Sequence, residues 1–220
     1  MTMILKALGA LLTYPDESLV AAAPEVLSVI EGERMLSRQH KAELRELLAT
    51  LAERDLLFSQ EVYVDTFDRG RAASLHLFEH VHGESRDRGM AMVDLRNTYE
   101  RAGLVLRPGE LPDYLPVVLE YLSVLPEQEA REMLVDCAHI LRKIGDALAE
   151  RGSGYSAIPA ALLALVQEPG LTPANERRPS MEEKSVDEEW AEEPVFFGPG
   201  ARPACGTGRE AVIRFTPRPS

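Results

Sequence analysis

The sequence predicts an all-α protein: a single irregular helical bundle followed by a disordered, acidic, Pro/Gly-rich C-terminal tail. Three observations lead there. Through the first 168 of 220 residues, apolar side chains recur at three- and four-residue intervals, the spacing that gathers them on one helix face. Alternation long enough for a strand is almost absent. From Pro169 onward the composition shifts to Pro, Gly and charge: eight of the 15 prolines lie there, and residues 182–193 hold seven acidic side chains against one lysine. The division read from this is a helical domain over 1–168 and a flexible acidic tail over 169–220, without the fixed-period repeat of a solenoid.

Residues 3–12 make a first short helix, stopped by Tyr14-Pro15-Asp16. Leu19, Ala23, Val26, Leu27 and Ile30 form the stripe of a second, and Ser37 stands ready to cap a third that carries Leu44, Leu47, Leu48 and Leu51. A fourth runs from Leu56 through Val62, Tyr63 and Phe67 to the charged break Asp68-Arg69-Gly70. Residues 75–103 read as two helices or one kinked helix, with the break at Gly83-Glu84-Ser85, Ser85 as a cap and Gly103 as the stop. Asp113 is placed to cap a helix whose third residue is Pro116, where the first turn needs no N–H, and Pro126 closes that helix at Leu125. Met133, Leu134, Cys137, Ile140, Leu141, Ile144 and Leu148 then keep helical period over four turns, with Gly152 just past the end. A last helix covers 156–167.

The balance of 24 Lys+Arg against 36 Asp+Glu, net -12, repels phosphate backbones and argues against a nucleic-acid partner, while steering basic peptides or protein surfaces inward. No apolar run approaches the ~20 residues of a bilayer-spanning helix. Neither a cationic secretory start nor a small-residue cleavage site opens the chain, so the expected location is the cytoplasm, without membrane insertion. Cys137 and Cys205 offer no spacing for a disulfide framework or zinc site. Phosphate loops, a Gly-x-Ser-x-Gly elbow and a Cys with a clear His partner are missing, which points away from an enzyme.

The densest titratable cluster is the stretch from His76 to Arg88. One reading pairs Glu79 with His82 and Asp136 with His139, a carboxylate-x-x-His motif on each of two helices, with Glu61 and Glu120 as bridging carboxylates; this is a metal-dependent helical-bundle enzyme with a di-metal site. The other reading has His80 and His82 hydrogen-bonded near a helix end and Arg86-Asp87-Arg88 in a first turn, where Asp87 complements the positive pole. A second unusual feature is the loop Gly109-Glu110-Leu111-Pro112-Asp113-Tyr114-Leu115-Pro116, stiffened by two prolines just before a helix that contains Glu120-Tyr121.

Together these segments carry a resemblance: Phe78-Glu79-His80-Val81-His82-Gly83-Glu84-Ser85-Arg86-Asp87-Arg88-Gly89, Ala91-Met92-Val93-Asp94-Leu95 and Glu110-Leu111-Pro112-Asp113-Tyr114-Leu115-Pro116. Leu11-Leu12-Thr13-Tyr14-Pro15, Tyr63-Val64-Asp65-Thr66-Phe67-Asp68 and Trp190-Ala191-Glu192-Glu193-Pro194-Val195 extend it over nearly the whole chain. The sequence resembles the NarJ family, the assembly chaperones of respiratory nitrate reductase, a branch of the all-helical TorD-like chaperones for molybdoenzymes. The resemblance implies a non-catalytic protein that binds the immature nitrate reductase alpha subunit through its N-terminal segment, held as an amphipathic helix in a groove. It implies assistance to molybdenum cofactor insertion and complex assembly with no cofactor stably bound, and proteins of molybdenum cofactor biosynthesis as further partners. The wider group's Glu-x-Pro-Asp-His linker motif is matched at Glu110, Pro112 and Asp113, with Tyr114 in place of the His. Clustering and motif matches together name Tyr63, Phe67, His80, His82, Glu84, Arg86, Asp87, Pro112, Asp113, Tyr114, Glu120 and Tyr121 as the border of that client groove.

Overall fold

Two short helices, almost wholly apolar, pack closely on each other along their lengths. The computed structural model describes residues 1–68, 70–81 and 86–173; Ser85, His82, Glu84 and the acidic tail lie outside them, as do the side chains of Arg86 and Asp87. Helix α1 (Thr2–Leu11) buries Ile4, Leu5, Leu8 and Leu11, and α6 (Leu115–Val124) buries Leu115, Val118, Leu119 and Leu122 against it. The two run antiparallel, since the Tyr114 hydroxyl at the start of α6 reaches the Leu12 carbonyl at the end of α1 while Gly9 faces Leu119. Gly9 sets their separation: a Cβ there would stand 3.4 Å from the Leu119 Cβ and 3.5 Å from the Pro116 carbonyl oxygen.

The other helices are α2 (Glu17–Gly32), packed on α1 and α3, α3 (Arg38–Glu53), α4 (Leu56–Phe67), α5 (Arg86–Arg101), α7 (Glu127–Glu150), packed on α6 and α8, and α8 (Ala157–Leu165), with single 3-10 turns at Arg71–Ala73, Leu77–Glu79 and Gly154–Ser156. The starts are written in the sequence. Asp16 accepts from the Leu19 N–H (2.8 Å), Ser37 from the His40 N–H (3.2 Å) and Asp55 from the Leu57 N–H (3.1 Å), each such cap contributing ~1 kcal/mol. Gly103 and Gly152 follow α5 and α7 at φ +79° and +65°, conformations that a side chain resists. Among the described residues no strand forms, and no helix is long and apolar enough to cross a membrane.

The structure corrects the sequence reading at residues 75–81, which form no α-helix. Backbone groups that a helix would use internally are taken across the fold instead. The Leu77 N–H donates to the Asp113 carbonyl (3.0 Å), the Phe78 N–H to the Asp113 carboxylate (3.1 Å), and the Leu115 N–H to the Leu75 carbonyl (2.8 Å), around an isolated antiparallel bridge between His76 and Tyr114. The expected cap is corrected with it. Asp113 does not cap α6, whose N-cap is Tyr114 without a side-chain hydrogen bond; its carboxylate turns away to residues 76–78.

Past α8 the chain doubles back on α7. Arg142 donates to the Pro169 and Gly170 carbonyls, Asp146 accepts the N–H and hydroxyl of Thr172, and Leu171 packs on the core beside Gly145. A Cβ at Gly145 would overlap a Leu171 methyl and come within 3.0 Å of the Pro159 Cβ. Gly145→Ala is therefore expected to expel Leu171. The ~1 kcal/mol helix-propensity gain offsets the lost apolar contact but not the push on Pro159, so global stability should fall by about 1–2 kcal/mol while hydrogen exchange at Thr172 speeds up at least tenfold.

Candidate functional site

The titratable cluster singled out in the sequence is an internal knot. Asp113, with no exposed surface, accepts from the Phe78 N–H, bonds His76 Nδ1 at 3.2 Å and lies 4.0 Å from Arg88 Nη2, which also meets Glu79 at 3.3 Å. Three separate segments, residues 74–79, the start of α5 and the 110–115 loop, are pinned at that carboxylate. Burial alone would push the Glu79 carboxyl up, but the Ser74 hydroxyl, His76 and Arg88 together hold it below the ordinary carboxylate range. His80 is half-buried with Nε2 2.9 Å from the Ser74 carbonyl; burial, reinforced by Lys143, lowers its pKa although that bond and Glu79 oppose the shift. It thus favours the neutral ring and stands beside a 3-10 turn rather than at a helix pole.

Among the described residues the di-metal geometry does not form, and His82 lies outside them. Glu79 sits in a 3-10 turn and is held by Arg88. Asp136 and His139 are exposed on α7, where His139 Nδ1 meets the Asp136 carbonyl instead of its carboxylate. Glu61 and Glu120 are exposed on α4 and α6, and among the described residues no three His, Cys, Asp or Glu side chains converge as metal ligands would.

A second group of the expected residues does come together, at the α1–α6 seam. Tyr63, buried on α4, places its hydroxyl 2.9 Å from both the Leu12 carbonyl and the Tyr114 hydroxyl. Phe67 packs on the Tyr63 ring (4.8 Å) and on Tyr155 (4.9 Å), so both are supports, not surface. Pro112 is buried and its carbonyl accepts from the Tyr99 hydroxyl (2.7 Å), whose ring lies 4.7 Å from that of Tyr121. Tyr114 and Glu120 reach the surface.

Between them runs an open trough of about 260 Å³. Lys6, Gly9, Ala10 and Thr13 of α1 form one wall, Pro116, Val117 and Glu120 of α6 with Tyr114 the floor and far wall, and Arg107 and Glu110 the loop side. It continues past Glu110, Val117 and Glu120 into a smaller recess of about 60 Å³ lined by Tyr99, Leu104, Val105, Leu106 and Tyr121. The floor is small or apolar and the rim is charged, the profile of a surface that receives an amphipathic segment. Glu120 makes no ion pair among the described residues, whereas Glu110 accepts from the Arg107 N–H (3.0 Å). Sequence reasoning missed the α1 wall and Arg107. The one signal was Gly9, a lone glycine in an apolar helix, which marks a close approach of backbones.

Comparison with known proteins gives the family. The family model described as "Nitrate reductase delta subunit" matches residues 34–157. The chain is 42% identical over 207 residues to the probable nitrate reductase molybdenum cofactor assembly chaperone NarW of Escherichia coli K12, covering 92% of this chain and 87% of that one. It is 43% identical over 196 residues to the assembly chaperone NarJ of the same strain (85% and 81%), and 32% identical over 165 residues to the probable NarJ of Bacillus subtilis (75% and 89%). The chain belongs to the nitrate reductase delta subunit, or NarJ, family, whose members are assembly chaperones and not enzymes.

Proposed function

We propose that the trough between α1 and α6 holds the N-terminal segment of an immature respiratory nitrate reductase alpha subunit as an amphipathic helix. In this reading the chain keeps its client assembly-competent in the cytoplasm while the molybdenum cofactor is inserted, works beside the proteins that make the cofactor, and holds none stably itself. The observation that supports it is the trough: a small or apolar lining at Gly9, Ala10, Pro116 and Val117, with the exposed carboxylate of Glu120, unpaired among the described residues, placed to receive a basic side chain. Charge on the rim of such a site steers encounter and register, and reversing it sets like charges against each other at a cost in affinity, while the apolar lining supplies most of the affinity itself.

The test is calorimetric titration with a peptide copying the alpha-subunit N-terminus of the same organism, against a scrambled control. Saturable binding of the native peptide alone is expected. Glu120→Lys, at an exposed position, should weaken it at least tenfold while leaving the urea unfolding midpoint in place. Binding of both peptides, of neither, or an unchanged affinity in the variant would count against the trough.

A further inference from the structure

The recess of about 60 Å³ that adjoins the trough has firmly held walls. The Tyr99 and Tyr121 rings, both buried and 4.7 Å apart, form its inner lining, and the Tyr99 hydroxyl is anchored on the Pro112 carbonyl at 2.7 Å. Gly103, at φ +79°, turns the chain back after α5, and the Leu104 N–H closes that turn on the Tyr99 carbonyl (3.0 Å), so residues 104–106 complete the lining. Leu104 and Leu106 pack on the core, while Val105 between them is 88% exposed and stands at the recess. An apolar hollow with an apolar lip is the form that receives a single anchoring side chain of a partner.

Position, size and charge define that side chain. Val117, Glu120 and Glu110 line both the trough and the recess, and Val117, Glu120 and Tyr121 stand at i, i+3 and i+4 on one face of α6. A segment lying in the trough therefore passes the mouth of the recess with the exposed Glu120 carboxylate, unpaired among the described residues, beside it. The hollow is well below the ~150 Å³ of an apolar cavity that admits a benzene ring, so it suits an aliphatic side chain and turns an aromatic one away. On a bound helix the side chain one turn, or ~5.4 Å, along the same face is three or four positions from the first, and that one comes within reach of Glu120. We infer that the recess anchors one aliphatic side chain of the client, three or four positions from the Lys or Arg that meets Glu120. This assignment rests on the reading of the trough as the client site.

The test scans the alpha-subunit peptide, replacing each aliphatic residue in turn with alanine and with phenylalanine, and titrates every peptide against the full chain and two variants of it. At one aliphatic position both replacements should weaken binding at least tenfold. In Leu106→Phe, whose larger side chain fills the recess, the same replacements should cost less than twofold. Val105→Ser, at an exposed position that folding does not depend on, should weaken the native peptide about fivefold and leave the alanine peptide unchanged. Replacing the Lys or Arg three or four positions away should have no further effect once Glu120→Gln is in place. Circular dichroism confirms that each variant is folded, and where Leu106→Phe is not, Val105→Ser decides. Native-peptide binding in which no aliphatic position couples to these variants, or in which phenylalanine serves as well as the native residue, would overturn the recess and leave the trough standing. No binding of the native peptide at all would overturn both.

Discussion

Replacing Asp113 with alanine is expected to lower stability by about 3 kcal/mol, a fall of ~6–12 °C in Tm for a chain of this size. The reasoning starts from burial. The carboxylate has no exposed surface, and the Phe78 N–H, His76 and Arg88 are all directed at it. Its removal takes the acceptor from the Phe78 N–H and the counter-charge from His76 and Arg88, of which only Arg88 keeps a second carboxylate, at Glu79, and an unmet buried donor costs ~1–3 kcal/mol. An N-cap, the role the sequence suggested, would cost only ~1 kcal/mol. Asp113→Asn separates the two accounts further: its amide oxygen keeps the Phe78 bond, so the loss should be roughly half that of alanine. Urea unfolding measures both, and a loss near 1 kcal/mol for alanine would sink the knot. Because Asp113 itself is buried and does not line the trough, client affinity should fall only in proportion to the unfolded fraction.

What was legible in the sequence follows the range of the interactions responsible. The caps at Ser37 and the stop at Gly152 are decided by the three or four residues around them, and both are where the local pattern put them. The Glu-x-Pro-Asp loop was legible as unusual, and Tyr114 and Glu120 do line one surface. Residues 75–81 were misread because their helix-like spacing is overruled by a carboxylate 35 positions away from Phe78, which no local rule contains. The same distance hides the trough's other wall. Lys6, Ala10 and Thr13 look like any short apolar helix until α6 packs antiparallel beside Gly9. The cluster from His76 to Arg88 drew attention for its density of charge, and it is dense because it joins three segments through Asp113.

Stability should collapse steeply above pH ~10, and the buried tyrosines are the cause. Tyr63, Tyr99 and Tyr155 have their phenol pKa pushed well above the ordinary value, first by burial and then by neighbouring tyrosines; Tyr114 is raised too, by burial, against the opposing bond from Tyr63. The sign is fixed by which state holds the proton. Below pH ~10 both folded and unfolded chains keep all four phenols neutral, so the stabilisation is fully present. Above it the unfolded chain releases protons that the folded chain retains, so stability falls as pH rises, by up to ~1.4 kcal/mol per pH unit for each of Tyr63, Tyr99 and Tyr155 and ~4 for the three together, with Tyr114 acting in the same direction. A domain with a stability of ~5–15 kcal/mol is then unfolded within about one to three units. Urea midpoints between pH 8 and 11.5, followed with the tyrosinate absorbance, test this: absorbance from these four groups should appear together with unfolding and not ahead of it. Tyr63→Phe supplies the control, costing ~1 kcal/mol at neutral pH through the lost bonds to Leu12 and Tyr114 while making the alkaline slope shallower by one group's share. A flat midpoint through pH 11 would mean that the seam joining α1, α4 and α6 admits water, and the trough built on that seam would then lack the rigid floor that holding a helix requires.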